Sequence, residues 1–311
     1  MRTGLLSEMH PFTKFIFAIL LAFLSFFVIS FIGALVALIV FHVGINELTS
    51  LLQSTPSEEN IPLLKYFQLL QSIGLFLIPA IVLARLIFKN GLNSVGLRIH
   101  VESAIVGWVL LLMVFGFPLV NLLSEWNLNM RLPGFLSSLE ETFRKLEESA
   151  VQMTEAFLQS KSFAGLFYNL ILIAILPALG EELFFRGIVQ RIFIDWTKNP
   201  WLGIFIAAFL FSFMHLQFYG FFPRLYLGFI FGVIYYWSGS IWLPILAHFI
   251  NNAAAVILLF IYGQETVGKN IDAIGTKEGN WYYIIISILF VGISLWQIYS
   301  GKKAGVISSK N

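Results

Sequence analysis

Two adjacent carboxylates, Glu181 and Glu182, stand where an uncharged run of 19 residues (162–180) ends, and His215, His248 and Asn252 interrupt apolar segments downstream. In a low-dielectric setting an ionisable group is costly unless it is paired or faces a wet cavity, so each of these is a candidate for chemistry. Glu182 and Arg186 are four residues apart and can pair on one helix face. Glu181 points about 100° away from Glu182 and is left to face something else. His248 and Asn252, also four apart, share a helix face from which Asn251 is turned away. A carboxylate in such a pocket can take a proton from water, while two His and an Asn can donate hydrogen bonds to the oxyanion formed when water attacks an amide carbonyl. That set suffices for peptide hydrolysis without a covalent nucleophile. The competing chemistry is a zinc centre held by Glu181, His215 and His248 with water in the fourth position. Against it, there is no His-Glu-x-x-His motif, and the ligands would come from three separate helices. The chain has no Cys, which removes disulfides, thiolate ligands and thiol nucleophiles.

The elements carrying these residues must bring them together. Pro177 lacks an amide hydrogen and predicts a break or kink just before the carboxylates. The segments bearing Glu181 and His215 meet at a turn around Asp195–Pro200, with residue 198 midway between them. Antiparallel neighbours folded there hold both residues at one depth, roughly 25 Å from the turn. His248 and Asn252 lie roughly 12 and 18 Å past a tight hairpin at Ser238-Gly239-Ser240. The four side chains are therefore expected in one layer of the structure.

That layer is expected inside a membrane. The chain is 58% hydrophobic and 12% charged, with a mean hydropathy of +0.84, whereas a globular domain carries about 25% charged residues. The net charge of +2 and the lack of a long basic run exclude a nucleic-acid partner. From Phe15 to Phe41 the chain has no charge, which predicts a helix longer than the ~30 Å hydrocarbon core and not a signal peptide. Further apolar stretches near 66–84, 103–123, 162–195, 201–219, 224–237, 241–262 and 281–299 complete an all-α polytopic transmembrane bundle of about eight spanning helices. One set of ends is basic: Arg2 and Lys14; Arg85, Lys89 and Arg98; Arg191 and Lys198; Lys302, Lys303 and Lys310. The other is acidic or mixed: Glu47, Glu58 and Glu59; Glu265, Lys269, Asp272, Lys277 and Glu278. The asymmetry predicts both termini in the cytoplasm of a cell whose plasma membrane holds the bundle.

Over 135–160, Phe135, Leu139, Phe143, Leu146, Ala150, Met153 and Phe157 recur at helical spacing among acidic and basic residues, which predicts an amphipathic extramembrane helix. Its acidic face argues against anionic lipid and for the non-cytoplasmic interface or a position over the bundle. Three segments result: N-terminal membrane helices with the amphipathic helix (1–160), a catalytic membrane core (161–262), and a last helix with a basic tail (263–311). No internal repeat is visible, which counts against a transporter.

Taken in order, Glu181-Glu182-x-x-x-Arg186, Phe211-x-x-x-His215 and His248-x-x-x-Asn252 resemble the three motifs of the CPBP family of intramembrane proteases. That family includes type II CAAX prenyl endopeptidases and bacterial proteins linked to bacteriocin self-immunity. The resemblance covers about residues 163–262. It implies an intramembrane endopeptidase in which Glu181 activates water and Glu182 and Arg186 support the local structure. His215 orients the water or polarises the carbonyl, and His248 with Asn252 forms the oxyanion pocket. The implied partners are the lipid bilayer and a peptide or lipidated-protein substrate. No cofactor is required on this reading; the zinc-dependent version of the same protease and a non-catalytic immunity or scaffold protein are the alternatives. Phe205, Phe209, Phe211, Phe213, Phe218, Phe221 and Phe222 would suit a wall for a lipid chain, although Phe in a membrane protein mostly faces lipid or neighbouring helices. Arg224, beside Pro223, is read as an interface anchor ahead of a contact to a substrate carboxylate.

Overall fold

The computed structural model describes residues 4–51, 56–98, 101–263, 266–267, 271, 273–277 and 279–301. The topology charges Arg2, Glu265, Lys269, Asp272, Glu278 and the three tail lysines lie outside the described residues. In chain order the main helices are α1 (Pro11–Val40), α2 (Ile61–Ile87), α3 (Ser103–Leu128), α4 (Ser137–Leu158), α5 (Phe163–Thr197), α6 (Pro200–Phe213), α7 (Phe218–Ser238), α8 (Trp242–Tyr262) and α9 (Trp281–Ser300). Among the described residues, seven of them are long and apolar enough to cross a membrane: all but α4 and α6.

The apolar stretch 201–219 yields a shorter helix than a span requires. The α6 helix has 14 residues, roughly 21 Å of rise against a hydrocarbon core of about 30 Å. It ends because Leu216 adopts a left-handed φ of 54°, after which the chain resumes as a 3-10 turn, Phe218–Gly220. His215 therefore sits in a turn beyond the helix end.

Both expected turns have local causes. Lys198 takes a left-handed φ of 55°. Asn199 then caps α6, its Oδ1 accepting from the Trp201 and Leu202 amides at 3.0 and 3.3 Å, with Pro200 next in the chain. At the second turn Gly239 (φ 70°) donates its amide to Tyr235 O at 2.8 Å. The 94–97 loop packs beneath that hairpin. Gly96 (φ +85°) lies so close that a Cβ would run into Gly239 O, and Trp242 Nε1 donates to Leu97 O at 2.9 Å.

The helices nearest the site are irregular. There are π turns at Ile73–Leu77 in α2 and at Leu170–Ile175 and Phe185–Gln190 in α5. Such turns redirect side chains and frequently accompany functional sites.

The amphipathic helix packs over the bundle. Phe143 of α4 stacks on Phe218 (5.1 Å, 7°), and the Arg144 guanidinium lies 4.4 Å over the Tyr219 ring. At its other end Phe157 is buried, and its carbonyl accepts from Lys65 Nζ and Asn169 Nδ2, both at 2.8 Å. Near its start, Glu140 accepts from Arg144 and from the Leu132 amide, each at 2.8 Å. These bonds hold the Glu140 carboxyl down at about 2, against an ordinary 4.5. A depressed folded-state value means that its stabilisation is complete above about 4.5 and is lost as pH falls through about 2. Protection of the 137–158 amides in detergent, corrected for the intrinsic pH dependence of exchange, should fall across that window. Glu140→Gln should abolish the transition and raise exchange already near neutral pH; an unchanged acid transition in the variant would assign it to another group.

Candidate active site

Within α5 the carboxylates are set by a broken backbone. Pro177 has no N–H for the carbonyl four residues back, Ile173. That carbonyl instead accepts from Asn252 Nδ2 of α8 at 3.0 Å. The proline thus frees an acceptor that ties α8 to α5 at the level of the site.

One turn later lies a buried ionic cluster. Glu182, fully buried, accepts on Oε1 from Arg186 Nη1 and from His248 Nδ1, both at 2.8 Å. Arg186 also donates through Nη2 to Gly228 O of α7 at 3.0 Å, and its guanidinium lies 4.6 Å over the Phe211 ring. The His248 ring stacks on Phe231 at 5.5 Å and meets Phe211 edge-on at 5.9 Å. With Nδ1 donating to a carboxylate, Nε2 is the nitrogen left for the cavity.

With Glu182 turned to Arg186 and His248, Glu181 opens on a cavity of about 650 Å³ that His215, His248 and Asn252 also line. His215 Nδ1 donates to Phe211 O at 2.8 Å. A carbonyl can only accept, so in the neutral ring Nε2 is an acceptor. Asn252 spends one amide hydrogen on Ile173 O, and its Oδ1 accepts from Asn251 Nδ2 at 3.1 Å.

All four residues expected to perform chemistry thus border one cavity, and Glu182 and Arg186 are paired beside it. Other expectations change. Asn251 is not turned away but lines the cavity, because Asn252 is held at its flank. Residues before 160 contribute: Gln68, Gln71 and Ser72 from α2, and Ala150, Met153, Thr154 and Phe157 from α4. Gln68 and Gln71 carry a sequence signal, two polar side chains three apart in a spanning helix. Arg224, expected at the membrane interface, stands in the first turns of α7 and lines the cavity. Of the expected aromatic wall, Phe211 lines the cavity, while Phe205, Phe209 and Phe213 point outward, 41–57% exposed. Phe218, Phe221 and Phe222 pack on Phe143, Phe209 and Trp126.

The zinc alternative requires Glu181, His215 and His248 to converge. Among the described residues, no three His, Asp or Glu side chains come close enough to share an ion. The Nδ1 atoms of both histidines are turned to protein oxygens, which leaves each Nε2 as the ring nitrogen open to other partners.

Residues 163–254, which span α5 to α8 and hold every motif residue above, match the type II CAAX prenyl endopeptidase Rce1-like family. The segment is Rce1-like. Together with the seven apolar helices long enough to cross a membrane, the similarity of this segment indicates an integral membrane protein. Among curated proteins it is similar to the uncharacterized protein YpbD of Bacillus subtilis (strain 168), 28% identical over 89 residues. That match spans 27% of this chain and 42% of the relative. No solved structure matches significantly.

The cluster in the Rce1-like segment has a measurable consequence. Removing one partner of a buried ion pair leaves an uncompensated charge, so Glu182→Leu should cost about 3–5 kcal/mol in reversible unfolding in micelles. A double variant with Arg186→Met should cost less than the sum of the singles. Additive costs would mean that the two side chains act independently.

Proposed function

We propose that this protein is an intramembrane endopeptidase that hydrolyses a peptide bond of a membrane-associated substrate by Glu181-activated water. The observation that carries the reading is the convergence of Glu181, His215, His248 and Asn252 on one cavity within the Rce1-like segment. Glu181 takes a proton from water as the water oxygen bonds to the carbonyl carbon, and later passes that proton to the leaving nitrogen. His215, its Nδ1–H held by the Phe211 carbonyl, offers the Nε2 lone pair to orient the water. His248 donates from Nε2 to the developing oxyanion when doubly protonated, and the Glu182 carboxylate on Nδ1 balances the imidazolium. The remaining Asn252 amide hydrogen is a second donor. No nucleic acid takes part, and the substrate is a peptide or lipidated protein reaching the site from the bilayer. Both termini lie in the cytoplasm in this reading, following the basic ends of the helices.

The test is cleavage of a panel of quenched fluorogenic peptides, some lipidated at a Cys near the C-terminus, with and without a tight zinc chelator. Glu181→Gln should lower kcat by about 10²–10⁴-fold with expression and thermal stability retained, and the chelator should leave the wild type active. Wild-type rates in the variant would remove Glu181 from the reaction. Loss of wild-type activity with the chelator would replace the glutamate mechanism by a metal-dependent one.

A further inference from the structure

The cavity holds a cationic group that the hydrolytic scheme does not use. Among its described lining residues, Arg224 is the one Lys or Arg. Its Nη1 donates to Gln217 Oε1 and its Nη2 to Gln217 O at 3.2 Å, so its protein partners are neutral oxygens of one residue. Nε is buried without a partner. Among the described residues, no carboxylate oxygen lies within 4 Å of the guanidinium. The nearby carboxylates are Glu147 of α4, which meets Gln217 Nε2 at a long 3.5 Å, and Glu181 on the same cavity, whose charge also reaches Arg224 beyond ion-pair distance. Burial pushes the Glu147 carboxyl above its usual range, while the charge of Arg224 pulls the other way. The guanidinium also has a prepared seat: Gly220 packs against it, and a Cβ there would run into Nη2. A guanidinium carries five donors in a planar fork that matches a carboxylate, and a partly buried cation without a close counter-ion is costly. In this cavity the fitting counter-ion is one that arrives with the substrate.

We infer that Arg224 is a specificity-determining residue that anchors a carboxylate of the substrate and so fixes which peptide lies against Glu181. The inference rests on the peptidase reading. The same chemistry is presented by a free C-terminus or by an Asp or Glu side chain, and the experiment separates the two. Peptides with one scissile sequence are prepared as the C-terminal acid, the C-terminal amide, and an amide bearing Glu at the last position. Each is assayed with wild type, Arg224→Gln and Arg224→Lys.

The wild type should favour the acid over the amide by about ten- to hundredfold in kcat/KM, the worth of one charge-assisted pair, with the difference in KM. Arg224→Gln should bring that ratio close to one, and Arg224→Lys should restore part of it, which a merely structural role would not do. Preference for the Glu-bearing amide equal to that for the acid would assign a side-chain carboxylate as the anchored group; preference for the acid alone would assign the C-terminus. Cleavage by wild type with no preference for either carboxylate, or a preference that survives in Arg224→Gln, would overturn the inference and leave the peptidase reading standing. Failure of wild type to cleave any peptide would overturn both.

Discussion

A single carboxylate oxygen, Glu182 Oε1, accepts from both Arg186 and His248 at 2.8 Å in the middle of an apolar bundle. Each group would be costly there alone, so the three hold one another and, with them, the helices that carry them. The contact with His248 fixes the rotation of α8 against α5, and the bond from Arg186 to Gly228 O adds α7. Once Glu182 faces inward, helix geometry turns its neighbour Glu181 elsewhere, onto the cavity. The residue proposed to act on water is thus aimed by a residue that need not touch the substrate.

The backbone around the cluster departs from regular helix where side chains can repair it. The Ile173 carbonyl, denied a donor by Pro177, is satisfied by Asn252, so the lesion in α5 doubles as the bond that sets α8. Within a membrane irregular backbone is tolerated where it is buried in protein or lines a cavity, and Ile173 does line one. His215 depends on a comparable economy: the turn that ends α6 early aims the ring, and the Phe211 carbonyl four residues back holds its Nδ1.

The amphipathic α4 gives this arrangement an outer wall. Its aromatic and cationic residues rest on Phe218 and Tyr219, which continue directly from the His215 turn. Four of its residues border the cavity. Hydrolysis inside a bundle needs water beside a carboxylate and lipid kept away from it, and a helix with one apolar and one charged face is suited to that boundary. Glu147 on the same helix brings a negative charge toward Arg224 and Gln217, so the roof and the cavity floor are linked electrostatically.

Much of the site was legible in the sequence because its decisive relations are local. Pairs four residues apart share a helix face whatever surrounds them, which placed Glu182 with Arg186 and His248 with Asn252. Long uncharged runs marked the spanning helices for the same local reason, and Pro177 marked the break before the carboxylates. Tertiary structure decided what depends on partners distant in the chain. That His248 binds Glu182, that α2 and α4 contribute walls, and that Arg224 lines the cavity all arise from packing between helices distant in the chain, on which helical periodicity is silent. The outward direction of Phe205, Phe209 and Phe213 was hidden for another reason. In a membrane protein both the core and the lipid-facing surface are apolar, so hydrophobicity cannot tell the wall of a cavity from the outside of the bundle; the contacts among the folded helices can.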